Sequence, residues 1–142
     1  MRAIRKKYKD KDFKLTPQRL AVLKCLDKNT SHPGAEDIYK AIKERCLTVS
    51  LSTVYNTIDI LKKRGEIMEI TIDPQKKHFD PNPEPHHHII CTKCRKIADI
   101  FEDYSALLTI PDTIKKEFTV TGLHVDFYGI CKKCDTKKRG IL

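Results

Sequence analysis

Two Cys-x-x-Cys pairs, Cys91/Cys94 and Cys131/Cys134, constrain this chain more than any other feature. Each loop can present two thiolates, and together they make a tetrahedral four-sulfur set, the closed geometry of structural zinc. The segment between the pairs is longer than in a tight zinc ribbon and reads as strand, helix and strand. Such a site pins the last strand of the segment onto the first. The alternative, a redox dithiol, needs one pair at a helix N-terminus to lower a thiol pKa, and the flanks here read as strand and turn. The other two of the six cysteines, Cys25 and Cys46, stand on apolar helix faces and read as buried small hydrophobes.

With 142 residues the chain can build one ordinary domain or two small ones. Charged residues at 33% and hydrophobic ones at 39% suit a globular protein. No run approaches the roughly 18 to 20 apolar residues of a membrane span. The basic start, MRAIRKKYKDKDF, is followed by no apolar stretch, so no secretory signal and a cytoplasmic location are expected. There, paired cysteines hold metal rather than form disulfides. A net charge of +9, clustered at 5–14, 62–64 and 132–139, favours phosphate backbones as partners.

The first half reads helical. Thr16-Pro17 starts a helix with Leu20, Leu23 and Leu26 inward, ending about Asp27. Ala35 to Cys46 repeats apolar residues at helical spacing (Ala35, Ile38, Tyr39, Ile42, Cys46). Ser50 or Ser52 caps a third helix to Arg64, with Val54, Ile58 and Leu61 inward, and Gly65 ends it. Glu66 to Ile72 then alternates polar and apolar and can pair with Lys77 to Asp80 as a hairpin. Three helices and a hairpin predict a winged helix. The recognition helix is Ser52 to Arg64, with Ser52, Thr53, Tyr55 and Asn56 placed to reach base edges; Tyr55 could instead pack under the wing. Arg19 and the basic N-terminal arm serve phosphates.

DPNPEP, with three of the seven prolines, marks a hinge. The chain is therefore expected to be α+β: a winged-helix DNA-binding domain over 1–80, a linker over 81–85, and a small α/β dimerisation and metal-binding domain with a four-cysteine zinc site over 86–142. In the latter, His88 to Cys91 and Lys96 to Phe101 read as strands. Ser105 to Phe118 reads as partly helical, restarting with Pro111 at its first helical position. Thr119 to Ile130 reads as a long strand, and the basic tail Lys132 to Leu142 as frayed.

Beside the first cysteine pair stands His86-His87-His88. On a strand His86 and His88 share a side and His87 points away. Asp80 precedes the triplet across the hinge, Asp99 lies on the next strand, and His32 sits in a turn between helices. Three imidazoles and two carboxylates suit Fe²⁺, Mn²⁺ or Zn²⁺. Taken singly, His32 reads equally as a capping or surface residue, Asp99 as a turn charge and Asp80 as a hairpin end. His78 and His124 read as surface residues.

The segments LTPQRLAVLKCL, HPGAEDIY, SLSTVYNTIDIL, HFD, HHHIICTKCRKIADI and YGICKKC resemble the ferric uptake regulator family from about Leu15 to Cys134. That resemblance implies a homodimer, palindromic double-stranded operator DNA as partner and a metal-dependent switch. Within the family the chain is most similar to the peroxide-stress repressor branch. The resemblance implies a regulatory Fe²⁺ or Mn²⁺ on His32, Asp80, His86, His88 and Asp99, with His32 and His86 as oxidation-sensitive residues. In the iron-uptake branch glutamates typically match Asp80 and Asp99. A second site of that branch is not matched here, where His87 and Leu123 stand at its positions with His124 beside them.

These residues imply a repressor, not an enzyme. Metal on all five ligands would tie the two domains across the hinge and set the recognition helices about one DNA turn apart. His86, His88 and Asp99 also match the two-histidine, one-carboxylate set of non-haem iron oxygenases. That reading leaves the first 75 residues without a role. An iron, manganese or zinc uptake regulator without peroxide sensing is the other alternative.

Overall fold

The computed structural model describes residues 2–9 and 12–136. The chain divides into two compact units, Met1–Pro83 and Glu84–Leu142.

The first unit begins with helix α1, Arg2–Lys7, which lies outside the sequence expectations. Ile4 of this helix packs on the core, and the residues that follow anchor it: Tyr8 and Phe13 are buried with ring centroids 4.9 Å apart. Helix α2, Pro17–Leu26, starts as expected: the Thr16 hydroxyl accepts from the Arg19 N–H at 3.2 Å and Pro17 occupies the first turn. Such a cap is worth about 1 kcal/mol. Helix α3 spans only Ala35–Ile42, not to Cys46. Its last turn opens at Lys43 into turns that carry Cys46 to the rim. Cys25 and Cys46 are accordingly half-buried rather than core residues. Gly34 precedes α3 where Lys76 and Lys77 approach; a Cβ there would lie 3.0 Å from the Lys77 carbonyl oxygen.

Helix α4, Leu51–Lys63, is capped by Ser50, whose hydroxyl accepts from Thr53 N–H at 3.1 Å. Gly65, at φ +67°, takes the left-handed turn that ends it. Val54, Thr57, Ile58 and Leu61 recur on one face and close over Val22 and Ile38 of α2 and α3. The wing is a short antiparallel hairpin, β1 (Met68–Ile70) with β2 (His78–Asp80), pairing Met68 with Asp80 and Ile70 with His78.

Glu66 ties α1 to the end of α4. It accepts hydrogen bonds from Tyr8 and from Arg64 at 2.6 Å, and pairs with Lys7 at 3.0 Å. Burial raises its carboxyl pKa, but these donors outweigh burial and hold it below the ordinary value. A lowered folded-state pKa stabilises above the ordinary carboxylate range and loses that contribution as pH falls through the folded value. Glu66→Gln is therefore expected to unfold at lower urea than wild type at neutral pH, with the difference closing under acid conditions. Urea titrations across pH measure both.

In the second unit β3 (His87–Cys91) is the central strand. It pairs antiparallel with β4 (Ile97–Ile100) and parallel with β5 (Asp126–Gly129). The expected long strand from Thr119 is thus only its last third: among the described residues, 119–124 join no ladder, and Val125 offers only its carbonyl to the His88 N–H at 3.4 Å. Between β4 and β5 lie a 3₁₀ turn, Ser105–Leu107, and helix α5, Asp112–Glu117. Pro111 precedes α5 as its cap, one position earlier than expected. Helix α6, Lys132–Asp135, follows the second cysteine pair's first member, Cys131, and carries Cys134. The tail beyond 136 and two residues of the N-terminal arm, 10 and 11, lie outside the described residues.

Candidate metal centres and nucleic-acid interface

The sheet register assembles the thiol cluster. Cys91 ends β3 opposite Gly129 of β5, so the chain leaving β5 delivers Cys131 beside Cys91. The Thr92 N–H donates to the Gly129 carbonyl at 2.8 Å and fixes that approach. One sulfur from each of Cys91, Cys94, Cys131 and Cys134 lies within 4.8 Å of all the others, and Cys94 Sγ is 3.6 Å from Cys131 Sγ. A tetrahedron with bonds of about 2.3 Å places sulfurs about 3.8 Å apart.

The main chain also prepares these sulfurs for a cation. Cys91 Sγ accepts the Cys131 N–H at 3.3 Å and the Cys94 N–H at 3.5 Å. Those donors, the Cys131 amide foremost, pull its thiol pKa down to about 6. Cys134 is pushed up to about 12, chiefly by hydrogen bonding to Cys131, then by burial and its other sulfur neighbours. Four thiolates this close repel one another unless a cation sits among them, so the donor set fits Zn²⁺.

A second donor group lies in the same unit. In the register, His88 stands opposite Asp99 of β4 on one side and Asp126 of β5 on the other. His86 Nε2 is 3.3 Å and His88 Nε2 3.6 Å from Asp99 Oδ1. The His86 Nδ1–H donates to the Glu84 carbonyl at 2.7 Å, which leaves the lone pair on Nε2, the form that binds metal. His87 turns to other partners: its Nδ1 accepts the Val125 N–H at 3.1 Å and its ring lies 5.2 Å from Tyr104. His88, His124 and Asp126 form a further group of possible donors.

The first unit carries a smaller pair. His32 Nε2 lies 3.5 Å from Asp80 Oδ2, and both side chains are almost wholly buried. The Phe79 N–H donates to the Pro33 carbonyl at 3.0 Å, so the wing strand holds the His32 turn against Asp80. His32 itself has φ +51°, a left-handed conformation that costs a non-glycine residue about 1–2 kcal/mol. A buried Asp80 and a half-buried Asp99, each beside imidazoles, are a chemistry that calls for a cation, and nitrogen–oxygen donors suit Fe²⁺ or Mn²⁺.

His78 corrects the sequence expectation. It is 8% exposed, not a surface residue. His124 is exposed, as expected, yet it is hydrogen-bonded at both ring nitrogens. Asp73 and Asp126, which face these two rings, were not anticipated. The spacing His124-x-Asp126 on extended chain could have revealed the second, since alternate residues share a side.

On α4, Ser52, Tyr55 and Asn56 lie on the exposed side and Thr53 is half-buried. Tyr55 does not pack under the wing: its hydroxyl donates to Glu36 on α3 at 2.8 Å. Arg19 lies over the Phe13 ring and donates to the Lys14 carbonyl at 2.9 Å, half-exposed beside the N-terminal arm.

Helices α2 to α4 with a hairpin wing, followed by a thiol-bearing sheet with buried histidines, define a winged-helix protein with a metal-binding second unit. The sequence profile of the ferric uptake regulator family matches residues 10–128. The peroxide-responsive repressor PerR of Staphylococcus epidermidis is 36% identical over 123 residues, 85% of this chain and 81% of that protein. The Campylobacter jejuni peroxide stress regulator superposes with a TM-score of 0.65 at 33% identity, covering 94% of this chain and 95% of that one. The Helicobacter pylori ferric uptake regulator, described as having three functional metal binding sites, superposes with a TM-score of 0.73 at 25% identity, covering 94% and 90%. The chain belongs to the ferric uptake regulator family. None of its described helices is long and apolar enough to cross a membrane.

Proposed function

We propose that the chain is a metal-responsive transcriptional repressor that binds palindromic operator DNA as a cytoplasmic homodimer and turns over no substrate. One observation carries the reading: each unit holds an incomplete set of imidazole and carboxylate donors, buried except for the half-buried Asp99. His32 and Asp80 in the first unit are two; His86, His88 and Asp99 in the second are three. Together they make five ligands, and their two carboxylates offset the charge of one divalent ion. An ion shared this way ties the DNA-binding unit to the dimerisation unit across the 81–85 hinge. Coupling in such switches is about 1–3 kcal/mol, roughly 5- to 150-fold in affinity.

Two further features support it. Ser52, Tyr55 and Asn56 are presented outward at the start of a capped helix, as a major-groove reader requires. In the second unit Phe101, Leu107, Leu108, Phe118 and Tyr128 are each more than half exposed. That much uncovered apolar surface suits a second copy of the chain.

The signal proposed is peroxide. Fe²⁺, when bound, supplies the activation of peroxide that Mn²⁺ supplies far more slowly. The net change in the chain is one oxygen atom inserted at an imidazole C–H of His32 or His86, with the second peroxide oxygen leaving as water. The oxidised ring loses its donor, the hinge is released and the operator is freed. The names of the Staphylococcus and Campylobacter relatives favour this reading. The likeness to the Helicobacter regulator favours uptake control without peroxide sensing.

The test is retardation of a palindromic duplex by protein loaded with Fe²⁺, Mn²⁺ or Zn²⁺, before and after peroxide. Retention with Fe²⁺ and Mn²⁺ is expected. Peroxide should release only the Fe²⁺ form, with a one-oxygen mass gain on a His32 or His86 peptide. Metal-dependent binding that survives peroxide would make it an uptake regulator. Binding indifferent to metal would overturn the proposal.

A further inference from the structure

Two histidines outside the five proposed ligands, His78 and His124, share one arrangement in different units. His78 donates from Nδ1 to the main-chain carbonyl of His32 at 2.7 Å, and its Nε2 lies 3.1 Å from Asp73 Oδ2. His124 donates from Nδ1 to the main-chain carbonyl of His86 at 3.0 Å, and its Nε2 lies 2.6 Å from Asp126 Oδ1. In each case a carboxylate orients an imidazole, and the imidazole grips the backbone of a histidine in a donor set.

We infer that His78 and His124 are positioning residues: each, with its aspartate, fixes the backbone of one metal-ligating histidine. This rests on the ligand set proposed above. The physical need is plain at His32, whose left-handed φ of +51° is unfavourable for a residue with a Cβ and persists only where neighbours hold it. The wing does so at two successive carbonyls. The His78 ring takes that of His32 and the Phe79 N–H that of Pro33. Asp73 is itself fixed, since its Oδ1 accepts the Gln75 N–H at 3.0 Å. His86 lies just before β3, one residue outside the paired register. The His124 ring supplies a backbone restraint there from the segment leading into β5. A ligand ring aimed within a fraction of an ångström needs its backbone fixed. Partners outside the coordination shell commonly change metal affinity roughly 10- to 100-fold.

The test uses the zinc-containing full chain and Mn²⁺ alone as probe, with affinity read by titration calorimetry. His78→Phe keeps a ring without donors, and His124→Ala removes one that is already exposed. Each is expected to weaken Mn²⁺ binding roughly 10- to 100-fold, with zinc content unchanged in both and the melting temperature of the Mn²⁺-free protein unchanged in His124→Ala. Asp73→Asn and Asp126→Asn, which keep an oxygen acceptor, should retain most of the affinity. His78→Phe should cost nothing further in a His32→Ala background, nor His124→Ala in a His86→Ala background. A merely structural role would give the same loss in both backgrounds and would overturn the inference. So would wild-type affinity in His124→Ala, which decides the matter should His78→Phe fail to fold. If His32→Ala and His86→Ala themselves leave Mn²⁺ binding unchanged, the ligand assignment has failed, and this inference with it.

Discussion

Cys91→Ser is expected to abolish stoichiometric zinc binding and to unfold the second unit while the first still melts cooperatively. Among its described residues, the apolar side chains buried in the second unit are Ile90, Cys91 and Ile97. The first unit buries Phe13, Val22, Ile38, Val54, Ile58 and Leu61 almost completely. A domain of about 60 residues with so few core side chains needs a cross-link. Zinc at such sites contributes about 10–16 kcal/mol of apparent binding free energy at neutral pH. Cys91 is the most buried of the four sulfur ligands and the one whose thiolate two main-chain amides stabilise, so serine there loses both ligand and amide partner. Circular dichroism with zinc analysis measures the effect, and sedimentation should show loss of the proposed dimer. A dimeric, zinc-free, folded Cys91→Ser protein would show that the sheet stands without its staple.

The second large effect is expected from His88→Ala. His88 is fully buried near the start of β3, opposite Asp99 and Asp126 on the two flanking strands. Its removal takes away an imidazole donor and leaves Asp99 facing a cavity. Loss of a ligand should exceed the roughly 10- to 100-fold typical of outer partners, so Mn²⁺ affinity is expected to fall by more than about 100-fold. Zinc content should be unchanged, because the thiol cluster forms at the far end of the same strand. Calorimetric titration with Mn²⁺ checks the first and metal analysis the second. Undiminished Mn²⁺ binding would remove His88 from the ligand set.

Local chemistry made much of this readable from residues alone. Thr16-Pro17 and Ser50 cap helices by short-range hydrogen bonds, and both boundaries follow from them. The two cysteine pairs needed no more than spacing. Long-range partners decided the misses. Helix α1 has little apolar pattern and is anchored through the adjacent Tyr8 to Glu66, distant in sequence. Residues 119–125 alternate like a strand, but the ladder of β5 with β3 begins only at Asp126, and the Val125 N–H goes to the His87 ring instead. Phe118 and Val120 stay exposed, so their apolar character marks surface rather than a ladder. His78 could have been placed inward. It lies two residues from Asp80 on one short strand, and the side that buries one buries the other.

The proposed switch depends on one divalent ion drawing ligands from both units, and His32 is the imidazole the DNA-binding unit contributes. The most direct measurement is operator affinity of His32→Ala with and without saturating Mn²⁺, beside wild type. The account predicts that Mn²⁺ tightens wild-type binding by about 5- to 150-fold and leaves the variant's unchanged. A variant whose affinity rises with Mn²⁺ as steeply as that of wild type would contradict it.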